Sequence, residues 1–251
     1  MSLLKRVAEL SAGVNDIEEA GDVLGGGFGP IVAGVYDATI SMAYAKEADS
    51  GAIGVHFQFK LDNGNDYREA VYITSGKAKG CKNYYEKDGV KHYLPGYNIA
   101  NAIALLSIGK EITDIDTETK TISVYNADAK AEVPTPSEVL VELLNQPIKL
   151  AILHNLEVKQ TKVGSDYVDT DETRETNNID KVFRSDDDMT VSEVRAGNTG
   201  KGIFVEAWAE RNAGKVRDKT KGKGTGSTGG APKASAPAAT PKPKTSLFNK
   251  K

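Results

Sequence analysis

Residues 53–61 carry the strongest constraint in the chain. Ile53, Val55, Phe57, Phe59 and Leu61 alternate with Gly54, His56, Gln58 and Lys60. That period of two is the mark of an extended strand with one buried face. Asp62-Asn63-Gly64-Asn65-Asp66 is a turn by composition, and Tyr67 to Thr74 returns as the partner strand. A one-residue slip would invert every side chain of the returning strand, so the burial pattern selects the register. An even, two-residue turn on Asn63-Gly64 would set Arg68 and Tyr72 beside Phe57 and Phe59. An odd loop, such as the five residues 62–66, brings Tyr67, Val71 and Ile73 to the apolar face. It groups His56, Gln58, Lys60, Arg68 and Tyr72 on the other face, and it is the expected register. Glu69 is the residue that fits it poorly.

Further elements follow the same logic. Ile31 to Tyr44 is rich in β-branched and aromatic residues and reads as a strand. Tyr84 to Tyr93 reads as a second hairpin around Asp88-Gly89. Asn98 is the expected N-cap of a helix carrying Ile99, Ile103 and Leu106, stopped by Gly109. Lys120 to Tyr125 alternates as a strand. Thr135-Pro136-Ser137-Glu138 has the form of a capping box and predicts a short helix through Leu144. Ile148 to Val158 is a long alternating strand. Residues 163–178 are polar and read as a loop, Ile179 to Phe183 as a final strand, and Val191 to Arg195 and Phe204 to Arg211 as short helices. Leu3 to Leu10 suggests an amphipathic helix. The strands, roughly six or seven, do not alternate strictly with helices. The expected class is mainly β: a small, partly closed antiparallel barrel of the OB-fold kind with a few short helices.

Charge divides the chain. Residues 212–251 hold ten Lys/Arg and one acid, Asp218, so of the 32 basic and 35 acidic residues the first 211 keep 22 and 34. The body is therefore at −12 and the tail at +9. Between Val216 and Leu247 the tail has no large apolar side chain, so it cannot bury enough surface to offset its chain entropy. The expected division is an extension over 1–29, a domain over 30–211 and a flexible basic tail over 212–251, ending in Leu247 and Phe248. No apolar run approaches the ~20 residues that cross a bilayer, and no secretory leader is visible. Cys81 stands alone, so an intramolecular disulfide is excluded.

Catalytic patterns are weak. Gly25 to Pro30 lacks the Lys-Ser/Thr of a phosphate loop and precedes a strand. His56, His92 and His154 have no metal-ligand spacing, and His154 reads as a satisfied core residue. Asp186-Asp187-Asp188 would serve a metal-dependent nuclease only if the adjacent carboxylates converged, so a solvated loop is expected. No metal site and no cofactor are expected.

Residues 56–97 differ. Six of the ten tyrosines fall there, interleaved with Lys60, Arg68, Lys77, Lys79, Lys82, Lys87 and Lys91. Aromatic faces that stack on bases, beside cations that follow phosphates, are what binds single-stranded nucleic acid without sequence preference. The candidate site is His56, Lys60, Arg68, Tyr72, Lys77, Lys79, Lys82, Tyr84, Tyr85, Lys91 and Tyr93. The competing reading is a protein-interaction or structural module whose tail is a tether.

Gly34 to Ile40, Lys46 to Phe59, Tyr67 to Lys77 and Lys82 to Tyr85 together resemble bacteriophage single-stranded DNA-binding proteins. The resemblance covers about residues 30–110 and extends loosely to 160. It implies an OB-fold that coats single strands during phage DNA replication and recombination, in the host cytoplasm and without catalysis. By residue type it carries Tyr72, Lys77, Lys79, Lys82, Tyr84 and Tyr85. Many such proteins end in an acidic tail, whereas this tail is basic. Thr245 to Phe248 loosely resembles the Leu-Phe end of bacterial sliding-clamp-binding peptides, without the usual upstream Gln. It makes Leu247 and Phe248 candidates for recruiting a replication protein.

Overall fold

The structure, a computed structural model, describes residues 29–126, 129–164 and 166–220. The alternating segment forms β2 (Ile53–Leu61), flanked antiparallel by β1 (Gly34–Glu47) and β3 (Asp66–Tyr72). Its register is the odd one, with Val55 opposite Val71, Phe57 opposite Glu69 and Phe59 opposite Tyr67. The loop is tighter than five residues, because Leu61 N donates to Asn65 O at 2.9 Å. Glu69 does face inward. Its carboxylate accepts from Tyr67 Oη and from Ile179 N, both at 2.7 Å, which is how an acid tolerates an apolar face.

The second hairpin is β4 (Tyr84–Lys87) and β5 (Val90–Tyr93). Its Asp88-Gly89 turn has both residues at positive φ, 52° and 74°, as two-residue hairpin turns require. Helix α1 (Pro95–Ile108) follows. It begins earlier than Asn98 because Pro95, preset for helical φ, occupies its first turn. Gly109 ends it as expected. The buried stripe Tyr97, Ala100, Ile103 and Ala104 packs with Phe57, Phe59 and Ile40 into the main core. Each such large side chain fully buried is worth about 1.5–3 kcal/mol.

Four expectations need correction. The predicted helix at 135–144 is instead a strand, β7 (Ala131–Val139), paired along its length with β6 (Glu118–Asn126), and then a single 3-10 turn, Val141–Leu143. Pro134 and Pro136 do not exclude a helix from residue 136 onward, since Thr135 would be its extended N-cap; what selects the strand is the ladder offered by β6. Most of the edge opposite β6 is open, so the prolines' missing N–H groups break no ladder. The polar stretch after Val163 is likewise a strand. β8 (Pro147–Val163) and β9 (Asp166–Phe183) form one long hairpin whose outer half is exposed on both faces, so polarity there marks solvation rather than a loop. The tail does not begin at 212. Residues 216–218 form β10 (Val216–Asp218), which pairs parallel with β8, and Lys219 Nζ binds Glu157 Oε1 at 2.7 Å. Finally, the strands do not close into a barrel. The path runs β10-β8-β1-β2-β3, with β9 on β8 and β7 bridging β1 and β6. The described residues are thus mainly β and antiparallel save for the β10–β8 pair.

The short helices α2 (Val191–Arg195) and α3 (Phe204–Asn212) stand where expected. The pairing of β1 with β2 slips between Ile40 and Met42, leaving Ser41 opposite no residue. Ala38 and Ile40 point into the core before the slip and Ala43 after it. The outward residues of β1 are therefore Val35, Asp37 and Thr39, then Met42, Tyr44 and Lys46. The expected helix over Leu3–Leu10, and Leu247 and Phe248, lie outside the described residues.

Candidate nucleic-acid interface

The odd register sends His56, Gln58, Lys60, Arg68 and Tyr72 outward together, as expected. Beyond the slip, β1 adds Met42, Tyr44 and Lys46 to that face. Tyr44 lies flat on His56, with ring centroids 4.9 Å apart and planes 12° apart. The β6–β7 hairpin stands beside this floor. Tyr44, His56, Gln58, Arg68 and Tyr125 line a groove of about 240 Å³. It shares Lys46, Val124 and Tyr125 with a wider groove of about 850 Å³ between β1 and β7. Arg68 reaches Glu132 on β7 at 3.4 Å, both side chains exposed. Burial, aided by Lys46, holds the His56 imidazole below its ordinary pKa, so it is neutral at pH 7.

Beyond Tyr72 the chain forms a closed basic loop. Ser75 N donates to Lys82 O at 2.8 Å and Lys82 N to Ser75 Oγ at 2.9 Å. A 3-10 turn, Lys77–Lys79, lies between them. The loop sits beside the β4–β5 hairpin, where Lys79, Lys82, Tyr84 and Tyr85 line a hollow of about 620 Å³. Lys82 and Lys91 place their ammonium groups 5.6 and 5.0 Å from the centroid of Tyr84, within cation–π range. Tyr85 stacks on His92 at 5.5 Å, and Tyr93 stacks on Tyr97 of α1 at 4.5 Å. Tyr72, Tyr85 and Tyr93 stay 49, 45 and 55% exposed, too open for packing alone. Tyr72 leans over Gly54, where a Cβ would meet its ring at 3.3 Å. A Cβ on Gly96 would lie 2.2 Å from Tyr72 O, so glycine there lets α1 seat the end of β3.

The expected residues thus divide. His56 and Arg68 share the β2–β3 groove; Lys79, Lys82, Tyr84 and Tyr85 share the hollow, with Lys91 on Tyr84. Lys77 is turned to Glu47 at 3.9 Å, and Lys60 stands opposite Asp66 at the hairpin end, lining neither. Sequence reasoning missed Tyr44, Lys46 and Tyr125. Tyr125, 61% exposed, was visible as an alternating-strand aromatic. Tyr44 was hidden by the Ser41 slip, which no composition rule signals.

Asp187 and Asp188 do not converge as a chelate. Asp187 is clamped by Arg184, and Asp188 by Lys149 and by Lys201, the latter at 3.1 Å. Among the described residues no group of three His, Cys, Asp or Glu gathers at metal-ligating distance. His154 Nε2, expected to be satisfied, has no hydrogen-bond partner among them; Glu175 Oε2 is 3.6 Å away. Compared with known proteins, the chain matches no family model and no curated protein, so its site stands on its own geometry.

Proposed function

We propose that the protein binds single-stranded DNA without sequence preference and acts by coating rather than by catalysis. The observation that carries this reading is the outward face of β2–β3. It sets the exposed Tyr72 ring and the half-buried His56, backed by the buried Tyr44, beside the exposed cations Lys60 and Arg68 on one sheet face, and it continues past Tyr72 into the lysine loop and Tyr84. Stacking on such rings tolerates every base, and the cations follow the backbone. The finer fold reading belongs to the same proposal. A β1–β2–β3 meander, a helix, and strands returning to β1 is an OB-type order, and OB-folds bind oligonucleotides on the face of strands two and three. The phage single-strand-binding resemblance of residues 30–110, action in a host cytoplasm and recruitment of a replication protein through Leu247 and Phe248 complete it.

The test is fluorescence anisotropy with a labelled oligothymidine and an unlabelled duplex competitor. Single strands should win. Tyr72→Ala and Tyr84→Ala should each weaken binding by about 1–3 kcal/mol, the stacking contribution of a base. If neither changes affinity, the site is misplaced. A second reading, a protein-interaction module, is favoured by the β8–β9 hairpin, whose end exposes Val163, Tyr167 and Val168. Equal affinity for duplex and single strand would favour it.

A further inference from the structure

The sheet face that carries Tyr44 and His56 has a second groove at its other end. Val35, outward-facing at the start of β1, packs against Ala151, Leu153, Phe183, Val205 and Trp208. These residues seat α3 on the same face. Between α3, β9 and β10 lies a groove of about 620 Å³ whose lining includes Lys181, Arg211, Lys215 and Arg217. Its only lining carboxylate, Asp180, accepts from Trp208 Nε1 at 2.7 Å. Lys215 Nζ is held by the carbonyls of Glu210 and Arg211 at 3.0 and 2.7 Å. Lys181, Arg211 and Arg217 make no ion pair among the described residues.

Exposed cations gathered around a single carboxylate that is engaged by Trp208, on a body rich in acids, are not arranged for internal stability. Their complement is a polyanion. The geometry points to a second phosphate-binding segment for the same single strand, an inference that rests on the function proposed above. From Val35 to Tyr44 is nine residues of strand, or about 30 Å at ~3.3 Å per residue. A strand bound at both ends must cover that distance. On the way it passes Asp37, whose charge is met by Lys149 at 3.4 Å. A short oligonucleotide fills one groove; only a longer one engages both.

The experiment uses the full chain and its Lys181→Ala/Arg211→Ala/Arg217→Ala variant. Both are titrated with oligothymidines of about 4 and about 30 nucleotides, spanning single-fold site sizes, over a range of salt. Trp208 is the only tryptophan of the chain, and it forms the groove wall. Its emission therefore reports occupancy here, and in the unliganded variant it reports folding. Wild type should change its emission with the long oligonucleotide and not with the short one. The variant should lose about ten-fold in affinity for the long one, and the slope of log K against log salt should fall by about 2, three phosphates at ~0.7 each. Its affinity for the short one should be unchanged. Should the triple variant unfold, Arg217→Glu alone must show the same pattern. A variant that binds the long oligonucleotide with wild-type affinity and slope overturns the second segment and leaves the first site standing. A wild type that binds neither overturns both.

Discussion

Glu69 is the residue where fold and charge disagree most. It sits opposite Phe57 on the inward face, and burial raises its pKa above the ordinary carboxylate value against the opposing pull of its bonds from Tyr67 and Ile179. Between the unfolded and folded values the folded state holds more protons, so stability falls as pH rises through that window. Glu69→Gln keeps a carbonyl oxygen for both donors and removes the charge. Its melting temperature should exceed that of wild type at pH 8, and the gap should close toward pH 4. Thermal denaturation at both values checks this; a variant less stable than wild type at pH 8 would show that the carboxylate itself is needed. On the outer face the pairing works the other way. Glu132 holds Arg68 in an exposed pair worth about 0–1 kcal/mol. Glu132→Gln should therefore cost at most about 1 kcal/mol of stability and release the guanidinium for phosphate. Single-strand affinity should rise by up to about five-fold, the equivalent of that energy, measured by the same anisotropy titration.

At the scale of elements, the two tight hairpins were legible because a turn and an alternating pattern agree there. Phe57, Tyr67 and Val71 could share a face in only one register. The outward set His56, Lys60, Arg68 and Tyr72 came with it, so four of the eleven candidate residues were readable from the register alone. Two similar tetrads show where local signals stop. Thr190-Val191-Ser192-Glu193 forms a capping box, Glu193 N donating to Thr190 Oγ1 at 3.2 Å and Thr190 N to Glu193 Oε2 at 2.8 Å. Thr135-Pro136-Ser137-Glu138 has the same spacing and is a strand. The difference lies outside the tetrad, in β6, which supplies a ladder along its whole length. The outer half of β9 was unreadable for another reason. An arm solvated on both faces has no alternation to detect. The groove beneath Tyr125 depends on that kind of long-range placement, and so escaped sequence reasoning.

For the molecule as a whole, charge is distributed along the chain with unusual asymmetry. The folded body extends through β10, so residues 221–251, with seven lysines and no acid, are the basic segment beyond the described fold. Ending the chain after Thr220 should keep the preference for single strands over duplex and reduce the salt dependence of binding. A loss of that preference would place selectivity in the tail. A cut at 211 would also remove β10 and the Lys219–Glu157 bond, and so confuse the two effects. The slip at Ser41 also reaches across the whole molecule. Because Ser41 is the one residue between Ala38 and Glu47 opposite nothing in β2, removing it would restore plain alternation with Ile40 inward and Met42 outward. Removing Met42 would do the same with Ser41 in the outward place, whereas removing Thr39 would turn Ile40 outward and removing Ala43 would turn Met42 inward. Along that stretch, single-codon deletion should be tolerated only at the slip, at Ser41 and Met42, and the molecule's two faces would be mapped by which codons it can spare.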